Sequence, residues 1–370
     1  DRTKFRPVVA CLNHTRFVPL IDDLGIPVYV LTDWLYSRHA PRLVHWVAPR
    51  LMRRALWLDR VLPSSYLRTI RLIHWPLINE LTRIVYDDDI DVIHLNVQIF
   101  RDLFGVLVSK RTGVPCVSHL RSAVPSNAGQ LSRRISRFAN RSVARFVANK
   151  EHTAALWIEN GIDPSKTSVA YNGMPLHEIA PLDIRQTWGI SDKVDYLVGC
   201  VTPLRNPLKV NGFLVRAFAR FLEIRPNAAL LVVGDGPMKS VLVQEAAALG
   251  IEDKVILTGF QQEAKEIIAG LDVSLVMHSH DSLSRVLLET MQAWTPLVAT
   301  DVGGVREIVQ HEVNGLLIPY GDEEAFANAM ARLASDDELR SRLVENAYRT
   351  VAERVSIEHY ASEMEDVYGN

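Results

Sequence analysis

The chain has 370 residues, 48% of them apolar and 23% charged, which is more than one hydrophobic core usually carries and sets two domains as the expectation. It has no low-complexity tract, which excludes a disordered chain, and no run of about 18 uncharged apolar residues that would span a membrane. The net charge of −2 hides a division: residues 1–178 hold 24 Lys and Arg against 15 Asp and Glu, and residues 179–370 hold 17 against 28. The positive half is expected to face something anionic, a phosphorylated ligand or a membrane surface. The opening run DRTKFRPVVACL lacks the basic, apolar and small-residue succession of a secretory leader, so export is not expected. Cys11, Cys116 and Cys200 lie far apart beside apolar runs, which suits small buried side chains in a reducing cytosol better than disulfides or a metal site.

Short β-branched runs alternate with helical patterns throughout, the signature of βαβ units around mainly parallel sheets, so the fold class is α/β. In chain order, the strand candidates of the first half are 6–12, 26–31, 91–95, 114–120, 144–149 and 167–171, with amphipathic helices at 130–142 and 151–160. Residues 34–76 hold eight arginines against one acid, Asp59, and four of the seven tryptophans. Arginine with interleaved Trp and Leu suits an anionic membrane surface, and Pro41, Pro49 and Pro63 break the stretch into short helices. The alternative is that the tryptophans belong to the core and the arginines to its solvated rim. Asp87, Asp88, Asp89 and Asp91 match an Asp-x-Asp pattern that can hold a divalent cation with a diphosphate. They lead into the strand at 91–95 at its N-terminal end, however, so a solvated turn is expected there.

Within the strand VPCVSHLRSAV, His119 and Arg121 are two apart and share a face. Polar residues around 174–192 separate this set of elements from the next, whose strand candidates are 195–201, 229–234, 254–258, 272–277, 296–300 and 314–318. Helices are expected near 210–225, 237–249, 284–294 and 323–335, and two more from 336 onward.

Residues 278–318, HSHDSLSRVLLETMQAWTPLVATDVGGVREIVQHEVNGLLI, carry the strongest signal. Asp281 falls in a polar loop after a strand, and Ser282 and Ser284 are candidate N-caps of the helix that carries Glu289. A helix N-terminus at the carboxyl end of a parallel strand presents open N–H groups and a positive dipole end, so a diphosphate would be held well there. Glu289, further along, can accept ribose hydroxyls. Taken singly, Asp281 reads as a capping carboxylate and Glu289 as a solvated helix residue. Upstream, Arg205 and Lys209 share the loop after strand 195–201, Gly234 opens a glycine turn, and Phe260 ends the run LTGF.

The 278–318 segment resembles the donor-binding domain of glycosyltransferase family 4. The family hallmark is a carboxylate, seven residues and a Glu, then an EAMA-like helix, a Pro-Val-Val-Ala-Thr-like strand, Gly-Gly-Val-x-Glu-Ile and Asn-Gly-Leu-Leu. Asp281 and Glu289 keep that spacing, and Thr290-Met291-Gln292-Ala293 stands where EAMA continues. The resemblance implies the GT-B fold, with two Rossmann-like domains facing across a cleft. These would be an acceptor-side domain at 1–178 and a nucleotide-sugar domain at 179–354, with a helix at 355–370 crossing back to the first. It also implies that a strand, a Gly-Gly loop and a helix precede the first residue.

The activity so implied is retaining transfer of a sugar from a nucleotide-sugar, a UDP-sugar by family frequency, to a polysaccharide or lipid-linked acceptor. No metal, other cofactor or nucleic acid is expected, and the protein is placed in the cytoplasm, peripheral on the inner face of the cell membrane. Asp281, with His119 or Arg121, would stand at the reacting sugar. Arg205 and Lys209 would face the leaving diphosphate, Glu289 the ribose and Phe260 the base, with Gly234, Ser282, Leu283 and Ser284 also lining the donor site. Arg121 falls nearest the family's sugar-contacting histidine by count from Pro115, and the Arg205–Lys209 spacing is four where the family has five, with Val210 replacing a glycine. The rival readings are a catalytically silent GT-B subunit that binds sugar nucleotide and scaffolds a partner, and a sugar-nucleotide epimerase on the same architecture. Transfer or hydrolysis by the protein would exclude the first, and product analysis without an acceptor would reveal the second.

Overall fold

All nine strand pairings among the described residues are parallel. The structure is a computed structural model that describes residues 3–11, 17–31, 65–96, 99, 102–122, 129–208, 210–279 and 283–369. The chain forms two compact units, one of Asp1–Asn149, Thr153–Ala170 and Val367–Asn370, the other of Lys150–His152 and Tyr171–Asp366.

In chain order the first unit comprises β1 (Val9–Cys11), α1 (Val18–Asp22), β2 (Val28–Val30), α2 (Ser65–Ile73), α3 (Trp75–Asp87), β3 (Ile93–Leu95), α4 (Leu103–Thr112), β4 (Cys116–Leu120), α5 (Gly129–Asn140), β5 (Val143–Ala148), most of α6 (Glu151–Glu159) and β6 (Thr167–Val169). β1 and β2 pair with each other, and the other four strands form a sheet in the order β3-β4-β5-β6. Each of the six expected strands is present. α4 carries no clear helical signal in its residues, and its burial explains why: Leu103, Val106, Val108 and Ser109 are all buried, so the helix lacks the broad polar stripe that reveals period 3.6. Its core partners include Leu95, Leu120, Phe146 and Trp157.

The second unit runs α7 (Ile184–Trp188), β7 (Tyr196–Val201), α8 (Phe213–Ile224), β8 (Ala228–Val233), α9 (Met238–Leu249), β9 (Val255–Gly259), α10 (Ala264–Ala269), β10 (Val273–Val276), α11 (Arg285–Gln292), β11 (Leu297–Thr300), β12 (Leu316–Ile318), α12 (Glu323–Ser335), α13 (Asp337–Arg354) and most of α14 (Ile357–Gly369). The strand order is β12-β11-β10-β7-β8-β9. Helices cover both faces of this sheet, which explains why its strands read as unbroken apolar runs. Tyr196, Val198, Cys200, Leu230 and Val232 face a core with Phe218 and Phe326, while the alternate residues Leu197, Leu231 and Val233 face another with Ile184 and Ile267. α7 lies inside the stretch 174–192 read as a divider, and buried Ile184 ties it to this second core. Cys116 and Cys200 are buried and free, and burial pushes the Cys200 thiol up to about 12. The final residues, Val367–Asn370, belong to the first unit.

Candidate functional site

From β7 the chain proceeds to β8 and β9 on one side of the sheet and then returns to β10 on the other. The loops leaving β7 and β10 therefore diverge at their carboxyl ends, and a doubly wound sheet opens its ligand crevice at such a reversal. The two loops are tied together, since Ser279 donates from its backbone N–H (2.8 Å) and from Oγ (2.9 Å) to the Leu208 carbonyl. In the loop after β7, Leu204 and Val210 are buried and anchor the ends, while Arg205 and Leu208 are exposed between them.

On the β10 side, Ser284 has extended backbone angles, and its Oγ accepts from the Leu287 N–H at 3.3 Å, so Ser284 caps α11. Leu283, beside it, is half-buried. One turn into the helix, Glu289 keeps only 13% of its side chain exposed and pairs with Arg285 at 3.4 Å. It is thus a largely covered carboxylate beside the crevice rather than a solvated one. Lys209, Asp281 and Ser282 lie outside the described residues.

Gly234 is explained by its neighbours. At φ +143° its place allows no ordinary side chain, and a Cβ would lie 2.0 Å from the Thr202 carbonyl oxygen. This close approach lets the turn after β8 stitch to both adjacent loops, with Leu204 N–H donating to Asp235 O (3.2 Å) and Gly234 N–H to Gly259 O (2.8 Å). Phe260, at the exit of β9, is 74% exposed.

In the first unit, β3 and β4 run parallel with His94 opposite Val117 and Leu95 opposite Ser118. His119 is wholly buried on β4, and its Nδ1 lies 3.3 Å from His94 Nε2, the rings stacked 5.4 Å apart. His94 Nδ1 in turn meets the Tyr368 hydroxyl. Burial lowers His94 to about 4 and His119 to about 3, with the Arg121 cation adding to both, so both imidazoles are neutral near pH 7. Arg121 follows the strand and is half-buried. Its Nε donates to Asn96 Oδ1 at 3.0 Å, and its carbonyl accepts from Asn149 Nδ2 at 3.3 Å. The two residues that the sequence left as alternatives are therefore separated: His119 belongs to the interior and Arg121 opens at the carboxyl end of the sheet. His94, Asn96 and Tyr368 were missed, although the matching triplets His-Leu-Asn at 94–96 and His-Leu-Arg at 119–121 signalled two adjacent strands with equivalent faces.

The aspartates of the Asp-x-Asp pattern lie where α3 gives way to β3, with Asp88 at the helix C-cap and Asp89 at φ +51°, at the opposite end of β3 from Asn96. Of the basic stretch 34–76, only 65–76 fall within the described residues. There Leu72 is 78% and Trp75 43% exposed, and the Arg71 and Arg111 guanidiniums lie 5.8 and 5.0 Å from the Trp75 ring.

Two sequence families match this chain, one in each half and in this order: "Glycosyltransferase Family 4" over residues 17–178 and "Glycosyl transferases group 1" over residues 206–350. The chain belongs to glycosyltransferase family 4. Among curated relatives, this family 4 chain is 33% identical over 185 residues to N-acetyl-alpha-D-glucosaminyl L-malate synthase of Bacillus anthracis, covering 50% of this chain and 48% of that one. It is 22% identical over 305 residues to the UDP-Gal:alpha-D-GlcNAc-diphosphoundecaprenol alpha-1,3-galactosyltransferase of Escherichia coli, covering 78% and 77%. At 30% identity and above, the family 4 chain spans 38–54% of the length of the curated relatives it matches. Anabaena Alr3699/HepE, solved in complex with UDP, superimposes with a TM-score of 0.78 at 23% identity, covering 99% of this chain and 93% of that one. The fold is therefore GT-B.

Proposed function

We propose that the chain is a retaining glycosyltransferase that moves a sugar from a UDP-sugar to a polysaccharide or lipid-linked acceptor. The observation that carries this reading is the crevice between the β7 and β10 loops, where the Ser284-capped α11 begins and Glu289 is held nearly covered. The α11 N–H groups, Arg205 and Lys209 neutralise the charge that grows on the leaving diphosphate, which is where catalysis gains most. Glu289 accepts the ribose hydroxyls. Asp281 stands beside the sugar as it acquires cationic character. In the first unit, Arg121 rather than buried His119 is open to a ligand. The leaving group departs on the face that the acceptor attacks, so the anomeric configuration is retained. With a helix terminus and two cations on the diphosphate, the reading needs no divalent ion.

The choice of UDP is supported by HepE, which has been solved with UDP and with UDP-glucose, and by the E. coli relative, whose name gives a UDP-sugar donor and a diphosphoundecaprenol acceptor. We read residues 34–76 as lying on an anionic membrane surface at the inner face of the cell membrane, where a lipid-linked acceptor would be found. Exposed Leu72 and Trp75, among arginines, support this. No helix among the described residues is long and apolar enough to cross a membrane.

A thermal-shift panel of UDP, GDP, ADP and their sugars tests the donor. A ligand at 100 times its dissociation constant stabilises by about 2.7 kcal/mol, and UDP with its sugars should stand out. An equal response to all three nucleotides, or none, would refute the site.

A further inference from the structure

From Thr290 to Thr300 every residue is buried except Trp294, which is 52% exposed. The cause lies in how α11 ends. Ala293 N–H donates to Glu289 O at 3.0 Å and Thr295 N–H reaches back to Thr290 O at 3.3 Å, so the chain leaves the helix through a single left-handed residue. That residue is Trp294, at φ +57°. Glycine takes such a position freely, whereas a bulky aromatic there is an outlier of the kind that points to function. The turn is held by other groups, including Thr295 Oγ1, which donates to Ile268 O at 2.8 Å. It does not need an indole.

The indole lies almost flat on Tyr348 of α13, with ring centroids 4.7 Å apart and planes 22° from parallel. The phenol covers one face of the indole, which is still 52% exposed. Beside Tyr348 on the same helix, Glu345 and Arg349 are exposed and pair at 3.0 Å. A flat apolar surface next to a carboxylate and a guanidinium matches a pyranose ring, whose C–H face is apolar and whose hydroxyl edge seeks strong hydrogen-bond partners. A protein partner would need roughly 800 Å² per side around an apolar centre, and here a single indole stands in an otherwise buried run. Trp294 and Ser284 sit at opposite ends of α11, whose eight residues span about 12 Å at a rise of about 1.5 Å each.

We propose that Trp294, backed by Tyr348, is a carbohydrate-binding platform that takes the apolar face of a hexopyranose ring within a glycan chain, apart from the donor crevice. The platform holds a distant part of an oligosaccharide and does not depend on the donor assignment. The test compares the full chain with Trp294→Gly and Trp294→Asn, since asparagine also tolerates left-handed backbone. Retention is read on a printed array of α- and β-linked hexopyranosyl oligosaccharides, with thermal unfolding and the UDP-induced shift measured in parallel. The wild type should be retained on a subset of the array, and both variants should lose at least tenfold in retention. Their unfolding temperature should be unchanged or higher and their UDP response unchanged. Absence of wild-type retention, equal retention by the variants, or failure of both variants to fold would overturn the proposal and assign the indole to packing alone.

Discussion

Acidification should weaken the fold through the histidine pair of the first unit. His94 and His119 titrate near 4 and 3 in the folded chain, lowered chiefly by burial, against 6.5 for a solvated imidazole. Between pH 6.5 and about 4 the unfolded chain therefore binds protons that the folded chain refuses, and stability falls as pH falls. The contribution is complete above pH 6.5 and is lost towards the folded values. One pKa unit corresponds to about 1.4 kcal/mol, so His94 alone, displaced from 6.5 to about 4, accounts for about 3 kcal/mol over that window. With both rings the slope approaches about 2.7 kcal/mol per pH unit, a large share of the roughly 5–15 kcal/mol that holds a typical domain folded. The assay is urea unfolding at pH steps from 7.5 to 4.5 for wild type and His94→Gln, which removes one of the two titrating rings. The variant should lose stability more shallowly below pH 6.5, by about 1.4 kcal/mol per unit. Parallel curves for the two proteins across the whole range would refute the reasoning.

Glu289→Ala and Lys209→Ala should each weaken donor binding or turnover at least about tenfold, because each removes a charge-assisted contact worth roughly 1.5–3 kcal/mol. Wild-type kinetics in either variant would remove that residue from the site. EDTA should leave turnover unchanged, and a loss of activity restored by Mg²⁺ or Mn²⁺ would contradict the metal-free reading. Gly234→Ala should destabilise by more than about 3 kcal/mol, since its Cβ would stand 2.0 Å from the Thr202 carbonyl at φ +143°. An unchanged unfolding temperature would show that the two loops are free to separate. Flotation with anionic liposomes should carry the protein upward at low salt and release it at high salt, as expected for arginines meeting lipid phosphates. Protein left at the bottom of the low-salt gradient would sink the membrane reading.

The α/β class, the twelve strands found among the described residues and the start of α11 beyond a strand were legible in the order of residues, because each depends on local pattern. Parallel strands covered on both faces must be continuous apolar runs, and the Ser284 cap and Glu289 lie within one short stretch of chain. Where the pattern was ambiguous, contacts between distant residues decided. α4 escaped notice because packing covers nearly all of its faces. Ser284 caps α11 because the chain direction there brings its Oγ to the Leu287 N–H. His119 looked as accessible as Arg121 until His94, 25 residues earlier, stacked on it, and Tyr368, a further 274 residues from His94, closed the chain of hydrogen bonds. Trp294 reads as an ordinary apolar residue in MQAWTPLVAT, and its exposure follows from a left-handed turn closed by Thr290 and Thr295. Exposure and the sharing of a proton both depend on which atoms the fold brings together, and residues far apart in the chain supply most of those atoms.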